Sequence, residues 1–371
     1  MSTYIEDEVL YLDSTPEIKN PFDPKLVDIV TQTMVISNIV ERLKYDEFTL
    51  HPDFQRNAGL WSDEKQSRLI ESLMIKIPIP SFYFDNTEQD KLIVIDGLQR
   101  LWSIKRFMAL ENGDPNQLRL KGLEYLNQFE GKTFDELPRT MQRRIKEQSI
   151  TAYIIRQGTP DAIRTSIFKR INTGGMSLTP AEIRNAVYQG KASEFLKRLS
   201  TSDEFKTATN RKIPPERMLD REFVNRTMAF VILGYEKYSG NMDQYLEDVL
   251  ARIKALSDEK LSVYEDAFLG AMKTINVLFK DKAFRKPKKE KGYGKINKPL
   301  YEVVSVAFTE LTSVERQTIL NRKEAFLKKY HSLFQDDSFV AAISSATAKV
   351  QNAKTRYKLM REVILETLKN D

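Results

Sequence analysis

A short apolar strand that runs directly into an Asp-Gly turn and then a helix constrains this chain more than any other feature. Leu92-Ile93-Val94-Ile95 is followed by Asp96-Gly97-Leu98-Gln99-Arg100, after which Leu101, Ile104 and Met108 recur at helical spacing. The pentapeptide is therefore expected on a strand-to-helix corner, where the first helical amides lack internal partners. Such a corner attracts phosphate, because free N–H groups and the positive end of the helix dipole coincide there. Gly97 lets backbone and ligand approach closely, and Arg100 presents a fork of donors suited to phosphate oxygens. Asp96 repels a bare phosphate, so it points to a bridging cation or to proton transfer. The bland alternative is a plain turn, since Asp-Gly is a common turn pair and aspartate a favoured N-cap.

The chain has 371 residues, which suggests about two domains. No apolar run approaches the roughly 20 residues needed to cross a bilayer, and the first residues lack a basic-then-apolar secretion signal. A soluble, cytoplasmic protein without membrane association is expected. The sequence has no cysteine, which excludes thiolate zinc sites and a cysteine nucleophile. The net charge of +6 comes from interspersed charges of both signs and is a weak argument for nucleic acid. More specific is the basic stretch from Arg285 to Lys295, with Lys286, Lys288, Lys289 and Lys291. It can hold nucleic-acid phosphates or serve as a solvated connector.

Prolines 16, 21 and 24 make residues 1–30 an irregular arm. A helix is expected from Ile36 to Leu43, and another after the N-cap Ser62, with Leu69, Ile70, Leu73 and Met74 inward. Phe82-Tyr83-Phe84 and Leu92 to Ile95 pair as a hairpin. Residues 110–147 read as a polar, mostly helical insertion, Ser149 to Arg156 as a strand, and Pro160 to Ile171 as a helix. Thr179-Pro180-Ala181-Glu182 has the pattern of a capping box with proline at the first helical position. Beyond Pro215 strand signals vanish and amphipathic helices follow, including Met218 to Tyr238 and Tyr264 to Phe279. Val350, Ala353, Tyr357, Met360 and Ile364 form a heptad-like stripe, expected to pack within a domain, with homo-oligomerisation the alternative.

Several ordered segments together resemble a known family. Phe54-Gln55-Arg56, Trp61, Arg68-Leu69-Ile70-Glu71-Ser72-Leu73, Pro78-Ile79-Pro80 and Asp96-Gly97-Leu98-Gln99-Arg100-Leu101 are similar to the N-terminal domain of GmrSD-type modification-dependent restriction endonucleases. That domain belongs to the ParB/sulfiredoxin-like superfamily. Phe168-Lys169-Arg170-Ile171-Asn172 and Leu178 through Ala186 resemble the family's second motif block, and Arg217 through Phe230 and Phe339 through Arg361 its helical region in stand-alone members.

The resemblance implies an α+β architecture: a ParB/sulfiredoxin-like mixed domain over 31–205, then an all-helical domain over 215–371. It also implies a nucleotide-binding protein of bacterial defence against foreign DNA, with Mg²⁺ and a nucleoside triphosphate as cofactors. An NTP-hydrolysing enzyme is one expectation; a non-catalytic DNA-binding or regulatory module with a ParB-like cleft is the other. Further partners are then DNA and a separate effector or nuclease subunit. Two departures from the family pattern matter. Leu98 stands where the family motif has glutamine, and His51 and His331, the only histidines, lack the neighbours of the family's C-terminal nuclease motif.

The candidate roles follow. Arg100 is expected to bind phosphate, Gln99 to orient water or read a sugar or base edge, and Asp96 to hold Mg²⁺ or polarise water. Gln55, Arg56 and Gly97 are expected to face the same cleft, although Arg56 can instead pack near Trp61. Asn172, with Gly174 and Gly175, can form an anion nest or merely join two helices. Glu182 is explained by capping, while the Glu-Ile-Arg pattern brings Arg184 in as a nucleotide-site candidate.

Overall fold

The computed structural model describes residues 4–6, 26–49, 61–86, 91–171, 178–288, 290 and 292–369. The chain divides into two compact units, Asn20–Thr179 and Met1–Lys19 with Pro180–Asp371. The division falls just before Pro180, ahead of the polar Ser200 to Pro215 segment expected from the sequence as the border.

The first unit is built on a five-stranded mixed sheet. Its elements, in chain order, are β1 (Ile29–Val35), α1 (Ile36–Lys44), β2 (Phe48–Thr49), α2 (Asp63–Met74), β3 (Phe82–Asp85), β4 (Leu92–Asp96), α3 (Leu98–Ile104), α4 (Arg139–Lys146), β5 (Ser149–Ile155) and α5 (Asp161–Ile171). The spatial order is β1-β5-β3-β4-β2, with β3–β4 and β1–β5 antiparallel and β3–β5 and β2–β4 parallel. The core gathers Ile36, Ile39 and Leu43 of α1, Ile70, Leu73 and Met74 of α2, Phe82 and Phe84 of β3, and Leu101 and Ile104 of α3. Ser62 caps α2 by accepting from the Lys65 amide, with Asp63 and Glu64 in the dipole-favoured first turn.

Two parts of this unit differ from the sequence reading. β1 starts inside the supposedly irregular arm; its alternation is masked because five of its seven residues are exposed. The 110–147 insertion is mostly turns, with one 3-10 turn at Asn127–Phe129 and the short α4. Gly113, Gly122 and Gly131, all at positive φ, interrupt any helix there. Burial of Leu118, Leu120, Leu123, Phe129, Phe134 and Leu137 holds the segment down. So does the buried Glu71 carboxylate, which accepts from the amides of Glu124 (3.0 Å), Tyr125 (2.7 Å) and Leu126 (2.8 Å).

The second unit is chiefly helical. It contains α6 (Pro180–Val187), α7 (Lys191–Thr201), α8 (Asp203–Ala208), α9 (Leu219–Leu233), α10 (Met242–Ala255) and α11 (Asp258–Phe279). After these come β6 (Arg285–Pro287), β7 (Tyr293–Ile296), α12 (Lys298–Thr309), α13 (Ser313–Asn321), α14 (Lys323–Ser332), α15 (Asp337–Ser344) and α16 (Val350–Leu368). Within the basic stretch, between α11 and α12, β6 and β7 pair antiparallel. Pro287 and the glycines at 292 and 294 hide its strand character from a propensity reading. α9 ends at Leu233 because Gly234 has φ 84°, so the helix expected through Tyr238 breaks there.

On α16 the stripe Ala353, Tyr357, Met360 and Ile364 is buried within the unit. Arg356, on the same helix, is only 1% exposed and reaches the fully buried Glu302 of α12 with Nη2–Oε1 at 2.7 Å. Its Nη1 donates to the Thr347 carbonyl at 2.8 Å, and the Tyr357 hydroxyl meets the same Glu302 oxygen at 3.2 Å. An ion pair sealed in this way is strongly constrained in geometry.

Candidate functional site

The corner between β4 and α3 forms as the sequence requires. Gly97 sits at φ 99°, ψ 10°, in the left-handed region. A Cβ there would lie 2.4 Å from Phe82 Cδ1, so glycine is demanded by both the backbone angle and the close packing.

Arg100 turns inward instead of outward. It is 7% exposed, and its guanidinium carbon stands 4.6 Å above the Phe82 ring centroid. Nη1 donates to the carbonyls of Pro80 and Ser81, the latter at 3.1 Å, and Nη2 donates to Asp96 Oδ2 at 2.8 Å. The side chain therefore ties the entry to β3 to the end of β4. Burial lowers the Arg100 pKa from its ordinary value, against the opposing pull of Asp96.

The Asp96 carboxylate remains one-third exposed. Gln99 Oε1 accepts from the Trp61 amide at 3.2 Å, while Gln66 Nε2 donates to the Trp61 carbonyl at 2.6 Å. Two glutamines thus clamp the residue that leads into α2. Gln55, Arg56 and Asn172 lie outside the described residues, as do Lys289 and Lys291.

A pairing that the sequence did not suggest lies at the other end of the β3–β4 ladder. Asp96 is level with Tyr83, whereas Asp85 is level with Ile93. Asp85, fully buried, accepts from Arg164 Nε at 2.6 Å, and Arg164 also donates to Asp161 at 2.9 Å. The signal available in sequence was an arginine placed among apolar residues of a helix, three residues after an aspartate.

In the second unit the polar residues of the Glu-Ile-Arg-Asn segment are engaged with later helices. Glu182 receives Arg217 at 2.8 Å, and Asn185 Oδ1 accepts from Arg221 at 2.8 Å. Arg184 Nη2 donates to Glu222 at 2.7 Å and Nη1 to Asp243 at 3.0 Å. Burial works to lower the Arg184 pKa, but the two carboxylates outweigh it and hold it above the ordinary value. These pairs dock α6 on α9 and on the start of α10. On the hairpin, Lys286 Nζ is spent on Glu6 at 2.6 Å and Ser344 at 3.2 Å, whereas Lys288 is exposed.

Among the described residues no cluster of three or more His, Asp or Glu is disposed to hold a metal ion. No described helix is long and apolar enough to cross a membrane.

Residues 36–189 match the family model of the GmrSD restriction endonuclease N-terminal domain. This segment is a GmrSD-type N-terminal domain. The match begins at α1, covers both motif blocks, and runs through α6, which belongs to the second compact unit. No curated protein matches the chain. The match covers less than half of the chain, and the α+β organisation agrees with the fold expected from the sequence.

Proposed function

We propose that this chain is a nucleotide-binding, Mg²⁺-dependent NTP-hydrolysing component of bacterial defence against foreign DNA, with its site at the β4–α3 corner. The observation that carries the reading is the partly exposed Asp96 carboxylate, held at a left-handed glycine beside the opening of α3. A lone carboxylate completed by phosphate oxygens and water is a normal Mg²⁺ environment, so Asp96 fits the metal expected from the family. Bound there, the ion would neutralise phosphate charge and polarise the attacking water. In this reading Arg100 is a positioning residue that holds Asp96 in its rotamer. Gln99, on the same helical turn, is the group that orients water or a base edge. Arg56, Gln55 and Asn172 remain candidate nucleotide contacts on the strength of the family resemblance, whereas Arg184 is buried and taken up by Glu222 and Asp243.

The test is release of inorganic phosphate from Mg²⁺-NTP by the full chain and by Asp96→Asn, Gln99→Ala and Arg100→Lys variants. Hydrolysis that disappears with Asp96→Asn, while nucleotide binding measured by calorimetry weakens only partly, supports the assignment. Equal rates in all four proteins overturn it.

A second reading, a non-catalytic DNA-binding or regulatory module, draws on the engagement of Arg100 with protein carbonyls and on Leu98 in place of glutamine. It expects no phosphate release by any variant, together with DNA affinity that falls steeply with salt and with neutralisation of Lys288, Lys289 and Lys291.

A further inference from the structure

β1 forms one edge of the sheet, and among the described residues no strand pairs with its outer side. Its pairing with β5 is regular throughout, Ile29 opposite Ile155 to Val35 opposite Ser149. At the two ends of the ladder Arg156 N donates to Asp28 O and Ile36 N donates to Gln148 O, each at 2.9 Å. Hydrogen-bonded and non-bonded positions alternate in an antiparallel ladder. Asp28, Val30, Gln32, Met34 and Ile36 therefore bond to β5. Ile29, Thr31, Thr33 and Val35 direct their N–H and C=O groups to the open edge.

Natural edge strands are usually blunted by lysine, proline or a bulge. β1, Ile-Val-Thr-Gln-Thr-Met-Val, has none of these and carries no charge. It is also close to palindromic about Gln32: threonines flank the glutamine, Val30 and Met34 come next, and Ile29 and Val35 close the ends. A strand of this kind is complementary to an antiparallel copy of itself.

We propose that β1 is a homodimerisation edge, pairing antiparallel with β1 of a second copy about a two-fold axis through Gln32. Hydrogen-bond parity is satisfied in this register. The outward-directed Ile29 faces the partner's Val35 and Thr31 faces the partner's Thr33, each as a bonded pair. Ile29 and Val35, 37% and 38% exposed, then cover one another on the outer face. Threonine pairs and β-branched pairs are favourable cross-strand neighbours. One further placement suits the helix dipole. Asp28 of one copy comes opposite Ile36 of the other, at the start of α1, which has no side-chain cap and no acidic residue in its first turn. The contact is isologous and closed, as two-fold dimers require, and it joins two sheets into one. It is independent of the nucleotide reading.

The chain lacks cysteine, so a single introduced thiol reports the register without background. Directly opposed non-bonded positions bring Cβ atoms to about 4.5–5.5 Å, near disulfide range. On mild oxidation of the full chain, Gln32→Cys is expected to yield a disulfide-linked dimer, while Ile29→Cys and Val35→Cys alone do not. In sedimentation velocity, Thr31→Lys with Thr33→Lys is expected to give monomer, because lysines then face lysines. Thr31→Glu with Thr33→Lys should retain the dimer, since each glutamate meets a partner lysine. A wild-type chain that sediments as monomer at high micromolar concentration, or cross-linking no better at 32 than at 29 and 35, overturns the proposal.

Discussion

The guanidinium of Arg100 meets the carboxylate of Asp96 at 2.8 Å across a left-handed glycine, four residues apart in sequence. Nη1 of Arg100 donates to the carbonyls of Pro80 and Ser81. The motif arginine is therefore a bracket between three chain segments, and Asp96 keeps about a third of its side chain open to solvent.

This arrangement makes Arg100 costly to remove. Arg100→Ala strands two carbonyls and the Asp96 carboxylate, and the expected loss is about 2–3 kcal/mol in urea unfolding. Arg100→Lys should recover only part of it, because an ammonium cannot reproduce the fork. In a cycle with Asp96→Ala the coupling should be about 1 kcal/mol; additive effects would mean that the pair contributes nothing.

Gly97→Ala combines positive φ with a collision against the Phe82 ring. Strain and overpacking together should cost about 2–3 kcal/mol. A melting temperature unchanged by this substitution would contradict the geometry of the corner.

The sealed Glu302–Arg356 pair gives a prediction for the helical unit. Glu302→Ala leaves a guanidinium buried without its acid and should cost about 3–5 kcal/mol. Joined with Arg356→Ala, the loss should be clearly less than the sum of the two single losses. Chemical denaturation of the three variants measures this directly.

The carboxyl of Glu64, at the start of α2, is held down to about 2, first by its bond to Lys121, then by its own backbone amide and Ser62. A depressed folded-state pKa stabilises the native state above the ordinary carboxylate value, and that contribution disappears as pH falls toward 2. Lys121→Met should move the Glu64 midpoint upward in a carboxyl-carbon NMR titration. A midpoint unmoved by the substitution would assign the depression to the helix start alone.

Local features were the legible ones. Ser62 followed by two acids announced α2, and the apolar run ending in Asp96-Gly97 announced β4, the corner and α3. The stripe on α16 announced a buried face. Each depends on neighbours within one or two turns, where spacing alone sets which side chains share a face. The edge strand β1 was hidden because an exposed strand loses its alternation, and the 285–296 hairpin because lysine, proline and glycine carry little strand propensity.

What tertiary structure alone decided is where the charged groups point. Sequence identified Arg100, Arg184 and Lys286 as cations in suggestive motifs, yet their partners include Pro80, Ser81, Asp243, Glu6 and Ser344, most of them far away along the chain. Asp85 and Arg164, separated by 79 positions, give no local sign of their pairing. Secondary structure follows from short-range sterics and periodicity, which a sequence displays openly. Ion-pair partners follow from which surfaces are buried together, and that is a property of the folded chain.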